Sequence, residues 1–388
     1  MRANPGGTIG PKDVIGRDEF IAQLWEILKN QSLVLTSERR IGKTCVITKM
    51  RDEVTNPDFF CVLRDIEGLR SPQEFVEHAY EDIESLLPRG DRARLKAWQL
   101  LSKLGGTQIG DIKLPHLTQH WKNLLEALLE DLFSAERRVV VFFWDELPLF
   151  INNVRQDMGE PAAMEVLDVL RSLRQRHTRL RMVFTGSVGL HQVVKALRAM
   201  HYANAPTNDM RAVEVCPLHP KDGARLASLL IEGEGIETGG DPARLAREIS
   251  EAAGNIPYYI HHVVARMKLQ GPSSMSQTPE EHMDCLISDP NDPADFRYYR
   301  TRLHAYYGEA DEAIALAALD ALAFAVEPLG FDDLLNGIRH QIPTLQQEMA
   351  RETLQLMMKD HYIARRRMDG KYEFRYQIVR RWWAFDRR

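Results

Sequence analysis

The sequence predicts an α/β fold: a five-stranded parallel sheet with helices on both faces, then a helical bundle, then a C-terminal helix–helix–helix–hairpin unit. Three observations predict it. The run Val139-Val140-Val141-Phe142-Phe143-Trp144 is apolar on both faces, as a strand buried between helical layers requires. Short apolar runs alternate with helical patterns as far as Val215, which is the signature of a parallel sheet. Near the end, Tyr362-Ile363 and Tyr372-x-Phe374-x-Tyr376 flank Asp369-Gly370, a strong hairpin turn signal.

Taken in order, Phe20, Ile21, Leu24, Ile27 and Leu28 make one stripe of a helix over 17–29. Gln31 to Leu35 reads as the first strand, and the chain turns helical again from Ile41. Phe59 to Leu63 is the second strand, and Ser71-Pro72 supplies an N-cap and first-turn proline for the next helix. The polar stretch 88–115, with Gly105-Gly106, reads as an insertion. Trp121, Leu124, Leu125, Leu128, Leu129 and Leu132 define an amphipathic helix before the third strand at Val139. Pro161 opens another helix through Met164, Leu167, Leu170 and Leu173, followed by strands at Leu180–Thr185 and Ala212–Val215.

Residues 220–269 read as wholly helical, a small lid-like bundle. Pro272, Pro279, Pro290 and Pro293, mixed with serines, mark a linker or long loop. Helices near 308–324, 331–338 and 344–358 then precede the hairpin, the order of a winged helix. The expected domains are therefore a core over 1–218, a lid over 219–270, a linker over 271–296 and a winged-helix domain over 297–388.

A length of 388 residues fits two to three domains at ~150 residues each. With 44% hydrophobic and 27% charged residues the chain can build a substantial core, which excludes disordered, collagen-like and disulfide-scaffold classes. The net charge of −5 is uneven: from His361 to Arg388 nine Lys/Arg face three Asp/Glu, so a basic end follows an acidic body. Four scattered cysteines without a C-x-x-C pair fit a reducing compartment. The N-terminus has no signal-like apolar stretch, and the apolar block at 139–144 is far short of the ~20 residues that span a bilayer. The expectation is a cytoplasmic protein without a membrane partner.

The strongest chemical signal is Ser37-Glu38-Arg39-Arg40-Ile41-Gly42-Lys43-Thr44, between a strand and a helix. It matches the phosphate-loop pattern G-x-x-x-x-G-K-[ST] except at its first position, where Ser37 replaces glycine. Backbone N–H groups at a helix start cradle phosphates, Lys43 reaches the β/γ oxygens, and the Thr44 hydroxyl ligates magnesium. Gly42 lets the backbone approach the phosphates, and Cys45 follows in the first helical turn.

About a hundred residues on, the apolar strand ends in Asp145-Glu146. This is the partner such a loop requires: Asp145 holds the Mg2+ water shell and Glu146 polarises the attacking water. Together the motifs imply ATP and Mg2+ as cofactors. Met182-Val183-Phe184-Thr185-Gly186-Ser187 ends another strand in hydroxyls, where P-loop folds with an inserted strand sense the γ-phosphate. Ser187 serves equally well as a helix N-cap. Gly186-Ser187-Val188-Gly189 is out of register for a nucleophile elbow, which disfavours a serine hydrolase.

Val14-Ile15-Gly16-Arg17-Asp18, the arginine-bearing loop, Asp145-Glu146, Thr185-Gly186-Ser187 and Gly254-Asn255-Ile256-Pro257-Tyr258-Tyr259-Ile260 together resemble the archaeal-type ATPases of the STAND / AAA+ P-loop group. The resemblance implies a P-loop core, helical lid and C-terminal winged helix, and an ATP-driven conformational switch. It also implies that Ile15, Gly16 and Arg17 lie on the adenine side and that Pro257 on the lid covers the base or ribose. No sensor-type arginine stands beside Pro257; Arg174, Arg179 and Arg211 are candidates for a trans-acting finger, with ordinary surface arginine the default for each.

Two functional readings follow: a hydrolysing switch, or a nucleotide-bound interaction platform with little turnover. Glu146 favours the first. The basic end suggests either DNA contact by Arg365, Arg366, Arg367 and Lys371 on the hairpin, or a protein partner or second copy gripped through Trp382 and Trp383. The candidate recognition helix Leu345–Lys359 has a single arginine before its terminal lysine, so the protein contact is preferred. His261-His262 lacks metal-ligand spacing and reads as a packing or surface pair, Met357-Met358 reads as core filler, and Trp382-Trp383, apart from the anchor role, reads as a cap on the winged-helix core or a dock against the P-loop core.

Overall fold

A computed structural model describes residues 1–54, 57–86, 121–186, 189–271 and 277–388. Its chain divides into two compact units. One holds Phe20–Thr36 and Val46–Glu214; the other holds Met1–Glu19, Ser37–Cys45 and Val215–Arg388.

The first unit opens with α1 (Asp18–Leu28) from Phe20 on, β1 (Leu33–Thr36), α2 (Lys43–Asp52) from Val46 on, β2 (Phe59–Asp65) and α3 (Pro72–Leu86). After them come α4 (Trp121–Ala135), β3 (Val139–Asp145), α5 (Leu147–Met158), α6 (Glu160–Arg176), β4 (Leu180–Phe184), α7 (Leu190–Ala199) and β5 (Arg211–Glu214). The strands pair in the order β2-β3-β4-β1-β5, all parallel. The expected five-stranded parallel sheet is thus present, and β4 is inserted between β1 and β3.

β3 is its most deeply buried strand, every residue from Val140 to Asp145 being enclosed. That burial is why its sequence is a continuous apolar run. Trp144 anchors the far end: its ring lies 4.8 Å from Phe75, 5.3 Å from Phe142 and 6.0 Å from Phe184. These contacts fix the backbone one residue before the acidic pair. The polar insertion expected over 88–115 lies outside the described residues.

In the second unit, α8 (Pro220–Glu234), α9 (Pro242–Ala252) and α10 (Pro257–Gln270) form the expected helical bundle. Each begins with proline in its first turn, and His219 and Asp241 cap the first two. The stretch expected as a linker instead contains a helix, α11 (Pro279–Ser288). Thr278 and Glu281 close a capping box around Pro279, so a proline that reads as a breaker from composition is a helix-starter in place. Then come α12 (Tyr298–Tyr306), α13 (Glu309–Phe324), α14 (Phe331–Gln341) and α15 (Gln347–Lys359). The antiparallel hairpin β6 (Ile363–Arg365) and β7 (Tyr372–Phe374) and the terminal helix α16 (Gln377–Asp386) finish the chain.

The helix–helix–helix–hairpin order is as expected, with one addition. Leu329, between α13 and α14, pairs with Tyr372 and extends the hairpin by a bridge. Trp382 and Trp383 fill the core of the C-terminal domain, as the capping reading expects and the partner-anchor alternative does not: they are only 3% and 1% exposed. The Trp382 ring stacks toward Phe296 and Tyr299, and the Trp383 indole N–H donates to Asp320 at 2.9 Å. The terminal basic residues are largely used inside the chain as well. Arg381 pairs with Glu280 and Asp284, Arg387 with Asp320, and Arg380 donates to the carbonyls of Ala323 and Ala325.

His261 and His262 are buried on α10, which makes them a packing pair. The Asn4 N–H donates to His261 Nδ1 at 3.1 Å, pinning the N-terminal segment, and the His262 ring meets Tyr258 edge-on at 4.5 Å. Burial pulls both imidazoles down from 6.5 to about 4, with the Arg40 charge adding to the effect at His262 and Asp13 opposing it at His261. Because the folded-state values are depressed, the neutral rings contribute full stability above about 6.5, and that contribution is lost as pH falls toward 4. At about 1.4 kcal/mol for each tenfold change in proton affinity, the pair accounts for several kcal/mol. Urea denaturation at pH 7, 5.5 and 4.5 should show this loss. In His262→Phe, which keeps a ring against Tyr258, the slope should be roughly halved.

Candidate functional site

The chain leaves β1 at Thr36 directly into the loop Ser37–Gly42, and Lys43 opens α2. Gly42 has φ +104, a conformation that only glycine adopts without strain. It lets the loop reverse onto the helix N-terminus, whose first turn carries no acidic residue and therefore presents N–H groups and the positive dipole end. Lys43 is buried, and its Nζ donates to Ser37 O at 2.9 Å, Glu38 O at 3.1 Å and Ser37 Oγ at 3.2 Å. Ser37, the departure from the motif, thus gives the ammonium an extra oxygen while donating its own proton to Glu38 O at 3.0 Å.

The variable side chains of the loop turn toward the helices of the same unit. Glu38 is fully buried and receives both arms of Arg302, at 2.6 and 3.1 Å. Arg302 also donates to the Tyr362 hydroxyl at 2.9 Å and to Asp360 O at 2.7 Å, with its guanidinium 4.4 Å over the Tyr362 ring. Burial works against that cation, but the charges of Glu38, Tyr362, Asp360 and Tyr298 together outweigh it and hold the guanidinium well above its ordinary pKa. Arg39 and Arg40 both reach Asp295 Oδ2, at 2.9 and 3.0 Å. Arg39 lies 4.2 Å over Tyr298 and Arg40 lies 4.6 Å over Tyr258. Glu38, Arg39 and Arg40 therefore use their side chains on these partners. Glu38 and Arg302 are 264 residues apart and no motif names Arg302, Asp295 or Tyr298, so pattern reading has no signal for them.

Arg17 is buried against the back of the loop, donating to Ile41 O at 3.1 Å and Cys216 O at 2.8 Å. Burial lowers its pKa, with neighbouring Cys216, Cys45 and Asp222 acting the other way. Gly16 must be glycine on two counts: φ is +70, and a Cβ would stand 2.5 Å from Asp222 Cβ. Ile41 is fully enclosed, and Cys45 is half-buried and in no disulfide. Pro257 begins α10 after the left-handed pair Gly254 and Asn255 and is half-exposed. The loop, Gly16, Arg17 and Pro257 all belong to one unit.

Asp145, Glu146 and Thr185 belong to the other unit. Asp145 is buried at the end of β3, and its Oδ1 accepts from the Thr185 hydroxyl and from the Glu146 N–H at 3.2 Å. The backbones lock the same geometry: Thr185 N donates to Trp144 O and Leu147 N to Thr185 O, both at 3.2 Å. Glu146 itself has φ 59 and ψ 31 at the N-cap of α5. A left-handed non-glycine residue costs about 1–3 kcal/mol and persists where the surroundings impose it, often at a functional position. Ser187 lies outside the described residues. Arg174 is committed internally to Asp209 and Pro206 O, and Arg179 to the carbonyls of Glu136 and Phe133, so neither fits a trans-acting finger; Arg211 is exposed on β5.

Among the described residues no group of three or more His, Cys, Asp or Glu could form a metal cage. Thr44 is exposed in the first turn of α2 and Asp145 closes β3, each in its own unit.

No family model matches the chain, and no curated protein matches it. Solved structures do. The Walker-type ATPase PABY2304 of Pyrococcus abyssi superposes with a TM-score of 0.60 at 16% identity, covering 96% of both chains. The ORC2 protein of Aeropyrum pernix in its ADPNP–ADP complexes gives 0.54 at 10% identity over 99% of this chain and 96% of that one. Its ADP form gives 0.52 at 10% identity, over 98% and 97%. The chain shares the AAA+ P-loop fold of these structures. In this AAA+ fold the inserted β4 sets Thr185 beside Asp145, and the helical bundle and C-terminal domain complete the likeness along the whole chain.

Gly42→Ala tests the loop geometry. A methyl at φ +104 should cost about 1–2 kcal/mol in urea denaturation and accelerate amide exchange over 37–42, whereas Gly68→Ala, where a Cβ meets nothing within 4 Å, should leave both within error.

Proposed function

We propose that this protein is a magnesium-dependent, ATP-binding and hydrolysing switch of the STAND / AAA+ type. The observation that carries the reading is the loop itself: a glycine-hinged turn between a parallel strand and an acid-free helix N-terminus, with Lys43 buried among the loop's own oxygens. Lys43 exchanges those oxygens for the β/γ-phosphates, backbone N–H groups of the loop and of α2 bind the remaining phosphate oxygens, and Gly16, Arg17 and Pro257 frame the base side. Magnesium supplies charge neutralisation on the phosphates, with Thr44 and Asp145 as its protein-side donors. Glu146 orients and polarises the attacking water, and Thr185 keeps Asp145 oriented by its hydroxyl hydrogen bond. Residues 1–218 act as core, 219–270 as lid and 297–388 as the domain that responds.

Lys43→Ala removes the ammonium that compensates the triphosphate. Calorimetry should show at least about a tenfold loss of ATP affinity, ~1.4 kcal/mol, with the fold retained; undiminished affinity sinks the phosphate-loop assignment. Glu146→Gln separates switch from platform. Under single turnover it should bind ATP normally and release phosphate at least about a hundredfold more slowly, whereas equal slow release in both proteins makes this an ATP-bound platform.

A second reading concerns partners. Arg365, Arg366 and Arg367 are exposed on the hairpin, with Met368 94% exposed beside them. Arg365 leans on Tyr372 and Gly370 O, and Arg366 lies 3.8 Å from Asp369. With Trp382 and Trp383 buried, a partner-protein grip loses its aromatic anchors, and the exposed arginines with Lys371 favour a phosphate backbone. Changing Arg365, Arg366 and Arg367 together to Ala should abolish duplex binding in gel shift. In the wild type, log affinity should fall with log salt by about 0.9 per phosphate contact. A duplex affinity that ignores both the substitutions and salt rejects the contact.

A further inference from the structure

Glu38 is an unlikely residue for a loop that receives a triphosphate, because a free carboxylate there would repel the ligand. The fold removes it from that role: the side chain is fully buried and held by both arms of Arg302, itself buried on α12. The same residue is gripped at its backbone by the phosphate-binding lysine, since Lys43 Nζ bonds Glu38 O at 3.1 Å. Its Oε1 also accepts the Arg39 N–H at 2.8 Å, so a donor of the loop is turned back onto it. One residue thus carries the lysine on its main chain and the C-terminal domain on its side chain.

The other end of the connection is equally specific. Arg302 donates to Asp360 O and to the Tyr362 hydroxyl, and that hydroxyl donates to Tyr299 O at 2.7 Å. Tyr362 immediately precedes β6, the strand that ends in Arg365. We propose that Arg302 is a positioning residue for the phosphate loop, and that the Glu38–Arg302 pair transmits nucleotide occupancy from Lys43 to α12 and the base of the hairpin. This rests on the nucleotide reading above. A ligand that draws Lys43 away from Glu38 O takes a constraint off residue 38 and alters the pair. By reciprocity, any load on the hairpin that disturbs Arg302 alters nucleotide affinity.

Hydrogen exchange of the full chain, with and without a non-hydrolysable ATP analogue and magnesium, tests the proposal. In the wild type the analogue should change protection over 298–306 and 360–374 as well as over the loop. Arg302→Gln strands the Glu38 carboxylate and should weaken analogue binding at least about tenfold. Arg302→Lys, which keeps the charge, should fall between the two and covers the case in which the glutamine variant fails to fold. The double variant Glu38→Gln/Arg302→Gln leaves no unpaired charge. It should bind the analogue more tightly than Arg302→Gln alone, yet lose the exchange response over 298–306 and 360–374. A purely structural ion pair would not separate binding from response in this way. If the double variant responds like the wild type, or Arg302→Gln binds like it, the inference is overturned. If the wild type binds no nucleotide, the nucleotide reading fails first and this one with it.

Discussion

A parallel sheet sends every strand out at one carboxyl edge, and the placement of Asp145 depends on that. β3 and β4 run the same way, so the acidic pair that closes β3 and the threonine that follows β4 both leave the sheet at that edge. The inserted β4 decides the detail, because it sets Thr185 against Asp145. The aromatic packing of Trp144 does the remaining work by fixing the main chain from which Asp145 and Glu146 project. Side-chain precision at the edge is therefore borrowed from the buried middle of the strands.

A second constraint is the desolvation of charge. A carboxylate and a guanidinium as buried as Glu38 and Arg302 persist only when hydrogen bonds replace the lost water, and here every arm of the arginine is used. The Tyr362 ring lies 4.4 Å from the guanidinium and both side chains are closed off from water, which sharpens the attraction and raises the cost of separating the pair.

Much of this was legible in the sequence because the relevant forces are local. Alternating apolar runs, the Gly42-Lys43-Thr44 helix start and the Asp369-Gly370 turn each encode their structure within a few residues. The helix at Pro279 was hidden because proline signals both a break and a first turn, and only the reciprocal Thr278–Glu281 bonds decide between them. Trp382-Trp383 reads from the sequence either as a cap on the C-terminal core or as a partner anchor, because a short terminal helix gives too little periodicity to reveal which face is covered; burial selects the cap. Asp145 was readable from its strand. The partners of Glu38, Arg39 and Arg40 were not, since a buried ion pair between distant segments leaves no spacing rule behind.

Arg39 and Arg40 converge on a single oxygen of Asp295. Either guanidinium alone still leaves that carboxylate paired, and each is also supported by its own tyrosine, Tyr298 or Tyr258. The arrangement is redundant by construction. Loss of one arginine is buffered by the other, while loss of both strands the acid, so the two positions are free to drift singly and bound to each other jointly. The effects of substituting them are therefore non-additive by construction, a property of the shared oxygen rather than of either residue.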